Sequence, residues 1–153
     1  MNLSVAEAVA WIAGGVVGGM AAGALLMLLV RTLHRREVRK LVGSPSPEDY
    51  RIEQTRVLNL PTDPETVLER GRWALRQLPR AGVLEENARP DELRMRTTSF
   101  PVAAEVSLRV KATTGDSSEV TISSRPVGPL KRFDLGVSLR NVLEVEGYVM
   151  QAD

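Results

Sequence analysis

Hydrophobic positions along this chain change their spacing from one segment to the next. From Ala8 to Val30 there is no alternation, only an uncharged stretch of 23 residues. As a helix rising about 1.5 Å per residue, such a stretch extends about 34 Å, enough for a hydrocarbon layer of about 30 Å. It reads as a single transmembrane helix. Its first half is rich in Gly and Ala, whereas Leu25-Leu26-Met27-Leu28-Leu29-Val30 supplies most of the apolar surface, and Trp11 falls near the outer interface. Beyond Pro47 the period becomes that of strands and amphipathic helices. Thr55–Leu60 reads as a strand ended by Pro61. Asp63 as cap and Pro64 at the first helical position open a helix whose Val67, Leu68, Gly71, Ala74, Leu75 and Leu78 recur at helical spacing until Pro79.

Three further strands are predicted around Leu93–Phe100, Ala104–Ala112 and Glu119–Arg125. In the second of these, Val106, Leu108, Val110 and Ala112 alternate with Glu105, Ser107, Arg109 and Lys111, the pattern of a sheet with one wet face. Thr113-Thr114-Gly115-Asp116-Ser117 turns the chain into the next strand, where Val120 and Ile122 point the same way. A last helix starts between Asp134 and Ser138 and buries Leu139, Val142, Leu143 and Val149. The order β-α-β-β-β-α makes a small α+β domain, an antiparallel sheet with its helices on one face. The predicted division is an N-terminal tail and transmembrane helix over 1–30, a basic juxtamembrane helix over 31–42, a linker over 43–50 and a soluble domain over 51–153. The linker follows from Gly43-Ser44-Pro45-Ser46-Pro47, whose prolines remove helical donors.

Charge sharpens this picture in one place. Arg31, Arg35, Arg36, Arg39 and Lys40 crowd one short segment with a single acid, Glu37, while residues 51–153 carry equal numbers of basic and acidic side chains. Short flanks rich in Lys and Arg stay on the cytoplasmic side. The predicted address is therefore the cell (plasma or inner) membrane, single-pass, with the N-terminus outside and the C-terminal domain cytoplasmic. The collar would lie on the lipid surface, with Leu33, Val38 and Leu41 dipping into the bilayer. A neutral domain after the collar speaks against nucleic acid as a partner. Small residues at Ala10, Gly14, Gly18 and Ala22, with Gly15, Gly19 and Gly23 on the adjoining line, predict a self-association face and a homo-oligomer through the span.

Candidate chemistry is sparse. The chain has no cysteine, and its one histidine, His34, falls in the collar, which leaves the domain without a Ser-His-acid relay, a thiolate or a histidine metal site. No cofactor is implied. Glu85-Glu86 and Asp91-Glu92 read as solvated loop carboxylates. Arg94 and Arg96 share one face of their strand, and with Arg125, Lys131 and Arg132 they form a candidate anion-binding patch. Arg125 and Asp134 flank one loop; Asp134 is expected to cap the last helix, and Arg125 to pair with it or to cap a sheet edge.

Val120-Thr121-Ile122-Ser123-Ser124-Arg125-Pro126, followed by Phe133-Asp134-Leu135-Gly136-Val137, resembles the end of a bacterial domain family of unknown function with the signature R-S-x-S-R-x-G-x-x-D-L-G-x-N. The likeness covers about the last sixty residues. Ser138 stands where that pattern has Asn, Pro101-Val102-Ala103 replaces an acidic pair, and the family's N-terminal cysteine-containing segment is missing. The family brings no reaction with it. The order of elements is also similar to helix-grip lipid carriers, although four strands are few for their usual cavity. Together these features predict a membrane-anchored, non-catalytic binding domain acting on a protein partner or on itself. The alternative is a carrier or sensor of a small apolar or lipid ligand drawn from the bilayer, and the third reading is an enzyme working without histidine or cysteine.

Overall fold

The computed structural model describes residues 5–98, 102–113, 115–129 and 131–151, with side chains from residue 19 onward except those of 83, 85–88 and 133. The chain divides into two compact units, Met1–Leu33 and His34–Asp153. Helix α1 runs from Val5 to Val42 and so supplies residues to both.

In the first unit, Met20 and Leu25 to Leu29 are exposed, and the Thr32 hydroxyl donates to the Leu28 carbonyl 2.8 Å away. Among the described residues no helix is long and apolar enough to cross a membrane. The single transmembrane helix expected over 8–30 is thereby corrected. Gly19 and Gly23 have open space around them. The side chain of Trp11 and the surroundings of Gly14, Gly15 and Gly18 lie outside what the structure describes.

The second unit is built on a five-stranded antiparallel sheet in the order β1-β5-β4-β3-β2, with β1 Gln54–Leu60, β2 Ala81–Arg89, β3 Glu92–Thr97, β4 Ala103–Ala112 and β5 Ser118–Val127. Helices α2 (Pro64–Gln77) and α3 (Val137–Met150) lie against one face and against each other. That face presents Leu93 and Met95, then Val106, Leu108 and Val110, then Val120 and Ile122, all buried, to Val67, Ala74 and Leu75 of α2 and Val142, Val145 and Val149 of α3. Each of these larger side chains contributes about 1.5–3 kcal/mol on full burial, so the alternation read in β4 is what places the core. Asp63 caps α2 as expected, its carboxylate accepting from the Thr66 amide at 2.9 Å.

The strand count departs from expectation. Residues 81–89 form β2, where the sequence suggested loop. Ala-Gly-Val-Leu-Glu-Glu-Asn-Ala-Arg carries no clean alternation, and the ladder to β3 shifts register between Ala81 and Leu84 and again between Glu85 and Arg89. This edge strand is held by its neighbour rather than by its own pattern. Gly82 lies at the first irregularity, and a Cβ there would overlap the carbonyl oxygen of Arg96. Gly82→Ala is therefore expected to push β2 off the sheet and to lower stability by about 1–3 kcal/mol, measured by urea unfolding. The hairpin at Thr113–Ser117 forms as read, with Gly115 at φ 77° and the Thr113 amide donating to the Ser117 carbonyl at 3.0 Å.

Two further corrections concern residues 34–50, which belong to the folded unit. Val38 is fully buried. It packs not toward lipid but beside Gly136, where an added Cβ would lie 3.8 Å from a Val38 methyl and 3.6 Å from Leu41. The expected linker is likewise structured. Ser46 donates from its amide and its hydroxyl to one Asp49 oxygen, at 2.7 and 2.8 Å, in a 3-10 turn over Glu48–Tyr50. Arg56 holds the other Asp49 oxygen at 3.0 Å. Gln54 donates to the carbonyls of Glu48, Asp49 and Arg51. Side-chain bonds to backbone groups hold this turn in place of regular structure.

Candidate functional site: a polar trough on the open face of the sheet

The sheet face turned away from α2 and α3 carries the alternate residues of each strand, and cross-strand pairing arranges them in rows. Arg94, Ser107, Ser123 and Thr55 form one row across β3, β4, β5 and β1, and Arg96, Glu105 and Arg125 form the next. Small side chains occupy the centre of the first row. Ser107, Ser123 and Thr55 leave a hollow that bulkier neighbours enclose, a cavity of about 310 Å³. Its floor is hydroxylic, with Thr55 Oγ1 and Ser123 Oγ 3.2 Å apart. Two ion pairs flank it: Arg94 Nε to Glu92 Oε1 at 2.8 Å, and Arg125 Nη2 to Glu105 Oε1 at 2.9 Å. Glu53, Gln54 and Ser124 complete the lining.

This arrangement corrects the expected anion patch. Arg94 and Arg125 do reach one site, and Arg96 stands beside it opposite Glu105. Lys131 and Arg132, both exposed in a 3-10 turn over Lys131–Phe133, are not among its lining residues. Carboxylates alternate with the guanidinium groups, because antiparallel pairing places Glu105 between two arginines, and the result is a site of mixed charge. Arg125 is 60% exposed in its pair with Glu105, so solvent screens the attraction to about 1 kcal/mol or less. A ligand can exchange with either partner at small cost.

Asp134 lies elsewhere, buried at the entry to α3 with 1% of its surface exposed. Its carboxylate accepts from the Ser138 amide at 3.1 Å and the Ser138 hydroxyl at 2.9 Å. The N-cap position itself is Gly136, without a side-chain cap, so Asp134 serves the first turn of α3 from two residues before it, and Arg125 pairs with Glu105 rather than with Asp134. Burial pushes the Asp134 carboxyl above its usual range, against the pull of the Ser138 hydrogen bonds and of His34 nearby. His34 therefore serves the domain rather than a separate collar, with its Nε2 3.1 Å from the Tyr50 carbonyl oxygen. Leu135 and Gly136 turn the chain at φ 47° and 80°, and a Cβ at Gly136 would meet Glu37, Val38 and Leu41 at ordinary contact distance, so the left-handed backbone rather than space calls for glycine there. Asp-Leu-Gly is a structural turn: a carboxylate that serves the first turn of α3, followed by a left-handed pair.

The sequence offered part of the trough through the wet-face alternation that contains Glu105 and Ser107. Glu53, Thr55, Glu92 and Ser123 were missed as site residues. The signal that would have found them is the small side chain at Ser107 and Ser123 on an otherwise charged face. Asp91 and Glu92, read as loop carboxylates, instead hold Arg109 and Arg94 at 3.1 and 2.8 Å, and the side chains of Glu85 and Glu86 lie outside the described residues. Among the described residues no group of three or more metal-ligating side chains is gathered.

No protein-family model matches the chain, and no curated protein matches it. Among solved structures, one match is the crystal structure of TTHA0849 from Thermus thermophilus, 15% identical, covering 66% of this chain and 99% of that one at a TM-score of 0.34. No function follows from that likeness.

Proposed function

We propose that residues 34–151 form a non-catalytic binding domain that takes a small dipolar ligand, of the class of short peptides or amino-acid-like zwitterions, in the trough on its open sheet face. The observation that carries this reading is the pair of ion pairs that border a hydroxyl floor, one along β3 and one bridging β4 and β5. Strands about 4.8 Å apart put β3 and β5 about 10 Å from each other. A ligand with an ammonium and a carboxylate several bonds apart can meet a glutamate on one side and an arginine on the other, while the serine and threonine hydroxyls serve either polarity. A volume of about 310 Å³ suits a small molecule.

The interior supports the surface reading over a carrier of apolar ligands. Leu108 and Ile122 are fully buried, and a Cβ added at Gly71 would stand 2.9 Å from both Leu108 methyls. The space between sheet and helices is filled by side chains, as close-packed interiors are.

Isothermal titration with triglycine, inorganic phosphate and glycerol tests the proposal. Triglycine is expected to bind in preference to the other two. Arg125→Ala and Glu105→Gln are each expected to weaken its binding by about tenfold or more, since a hydrogen bond to a charged group contributes about 1.5–3 kcal/mol. Absence of binding by all three probes, or triglycine binding that both variants leave unchanged, would overturn it.

A further inference from the structure

Strand β1 is an edge. Among the described residues it pairs only with β5, through seven consecutive partners from Gln54 opposite Ser124 to Leu60 opposite Ser118, without a register shift. Edge strands are ordinarily guarded against further pairing by lysine, proline, a bulge or an inward charge. β1 has no proline, no lysine and no irregularity, and its solvent face reads Thr55, Val57, Asn59 without a charge. It does carry one inward charge, Arg56 on the helix-facing side, but that guanidinium is already neutralised by Asp49 of the same chain at 3.0 Å. Midway along the strand sits Val57, β-branched, apolar and 57% exposed.

The geometry points to a second copy of this chain as the partner of β1, joined antiparallel about a two-fold axis at Val57. A two-fold interface must be self-complementary, each residue meeting its counterpart across the axis. Pairing about Val57 uses all seven residues of the strand: Val57 faces Val57 of the other copy, Thr55 faces Asn59, and Gln54 faces Leu60. Apolar meets apolar at the axis, and a hydroxyl meets an amide on either side. Charge selects this register over a neighbouring one, because an axis at Arg56 would set two guanidinium groups directly opposite each other. An axis at Leu58 would leave Gln54 and Thr55 beyond the paired segment. The two five-stranded sheets would then run on as one.

Because the chain contains no cysteine, single substitutions in the full-length protein report the register directly. Directly opposed residues on antiparallel strands have Cα atoms about 4.5–5.5 Å apart, within the reach of a disulfide. Under mild oxidation Val57→Cys is expected to give a covalent dimer. Thr55→Cys alone and Asn59→Cys alone are expected to stay monomeric, since each lies about 13 Å from its own counterpart. A mixture of Thr55→Cys and Asn59→Cys proteins is expected to cross-link about tenfold faster than either alone, because disulfide geometry is specific. All three positions are solvent-facing, so folding is retained. No dimer from Val57→Cys, or equal cross-linking at all three positions taken singly, would overturn the pairing.

Discussion

Val38→Asp is expected to destabilise the folded unit by about 3–5 kcal/mol, because it replaces a buried methyl pair with a carboxyl that has no partner. Val38 is 0% exposed and sits where α1 meets the turn at Gly136. For a folded unit of this size such a loss lowers the melting temperature of the full-length protein by about 10 °C or more. Arg35→Ala, an exposed change one turn away, is expected to stay within about 0.5 kcal/mol of the parent. The contrast carries the information. If both variants melted like the parent, the end of α1 would not belong to the core, and residues 34–42 would return to being a separate basic segment.

Asp134→Ala is expected to cost about 2–3 kcal/mol, since it leaves the buried Ser138 amide and hydroxyl without their acceptor. Asp134→Asn keeps an oxygen for those donors, and its effect should depend on pH. Burial raises the Asp134 carboxyl in the folded protein, with the Ser138 bonds and His34 opposing. Below the ordinary carboxylate value of about 3.9, the group is protonated in both states. As pH rises through that value the unfolded chain releases its proton while the folded one retains it. The native state then binds more protons, and stability falls with rising pH until the folded group also ionises. Asparagine has no proton to lose, so Asp134→Asn is expected to gain on the parent as pH rises above about 4, until the folded carboxyl also ionises. Urea unfolding of both proteins across that range checks it, and a constant difference would refute the linkage. Asp49 works in the opposite direction. Its burial alone would raise it, but the Ser46 bonds and Arg56 hold it below the usual range, so its contribution is present at neutral pH and lost on acidification.

The sign of these two carboxylates was not legible in the sequence, and of the two only Asp134 was singled out there. A cap can be read from an Asp placed before an apolar periodic run, but whether the carboxyl is buried depends on what packs over it. Here the end of α1, almost a hundred residues away in sequence, packs beside Gly136 two residues on, and His34 of the same helix acts on the Asp134 carboxyl. The same distance problem shaped the reading of Val38. An apolar position on a basic helix looks alike whether lipid or a protein core covers it, because both are merely not water. Prolines at 45 and 47 marked a break in the helix correctly, yet a break is not a free linker once Ser46, Asp49 and Gln54 supply its hydrogen bonds.

Local features were legible from the residues alone: the Asp63-Pro64 start of α2, the two-residue period of β4, the turn at Gly115 and most of the stripe of α3, where Leu139, Val142 and Val149 are buried while Leu143 is only half-buried and Val145 was missed. Each rests on contacts between residues a few positions apart, or on a period that any solvent-facing element must obey. The order β1-β5-β4-β3-β2 emerged only on folding, and that order made the site. It set Ser107 beside Ser123 and Thr55, put Glu105 between Arg96 and Arg125, recruited the weakly patterned β2, and left β1 at an edge. Alternation tells which side of a strand is wet. Which strands lie next to one another is settled by the packing of the whole core, and no stretch of a few residues contains that.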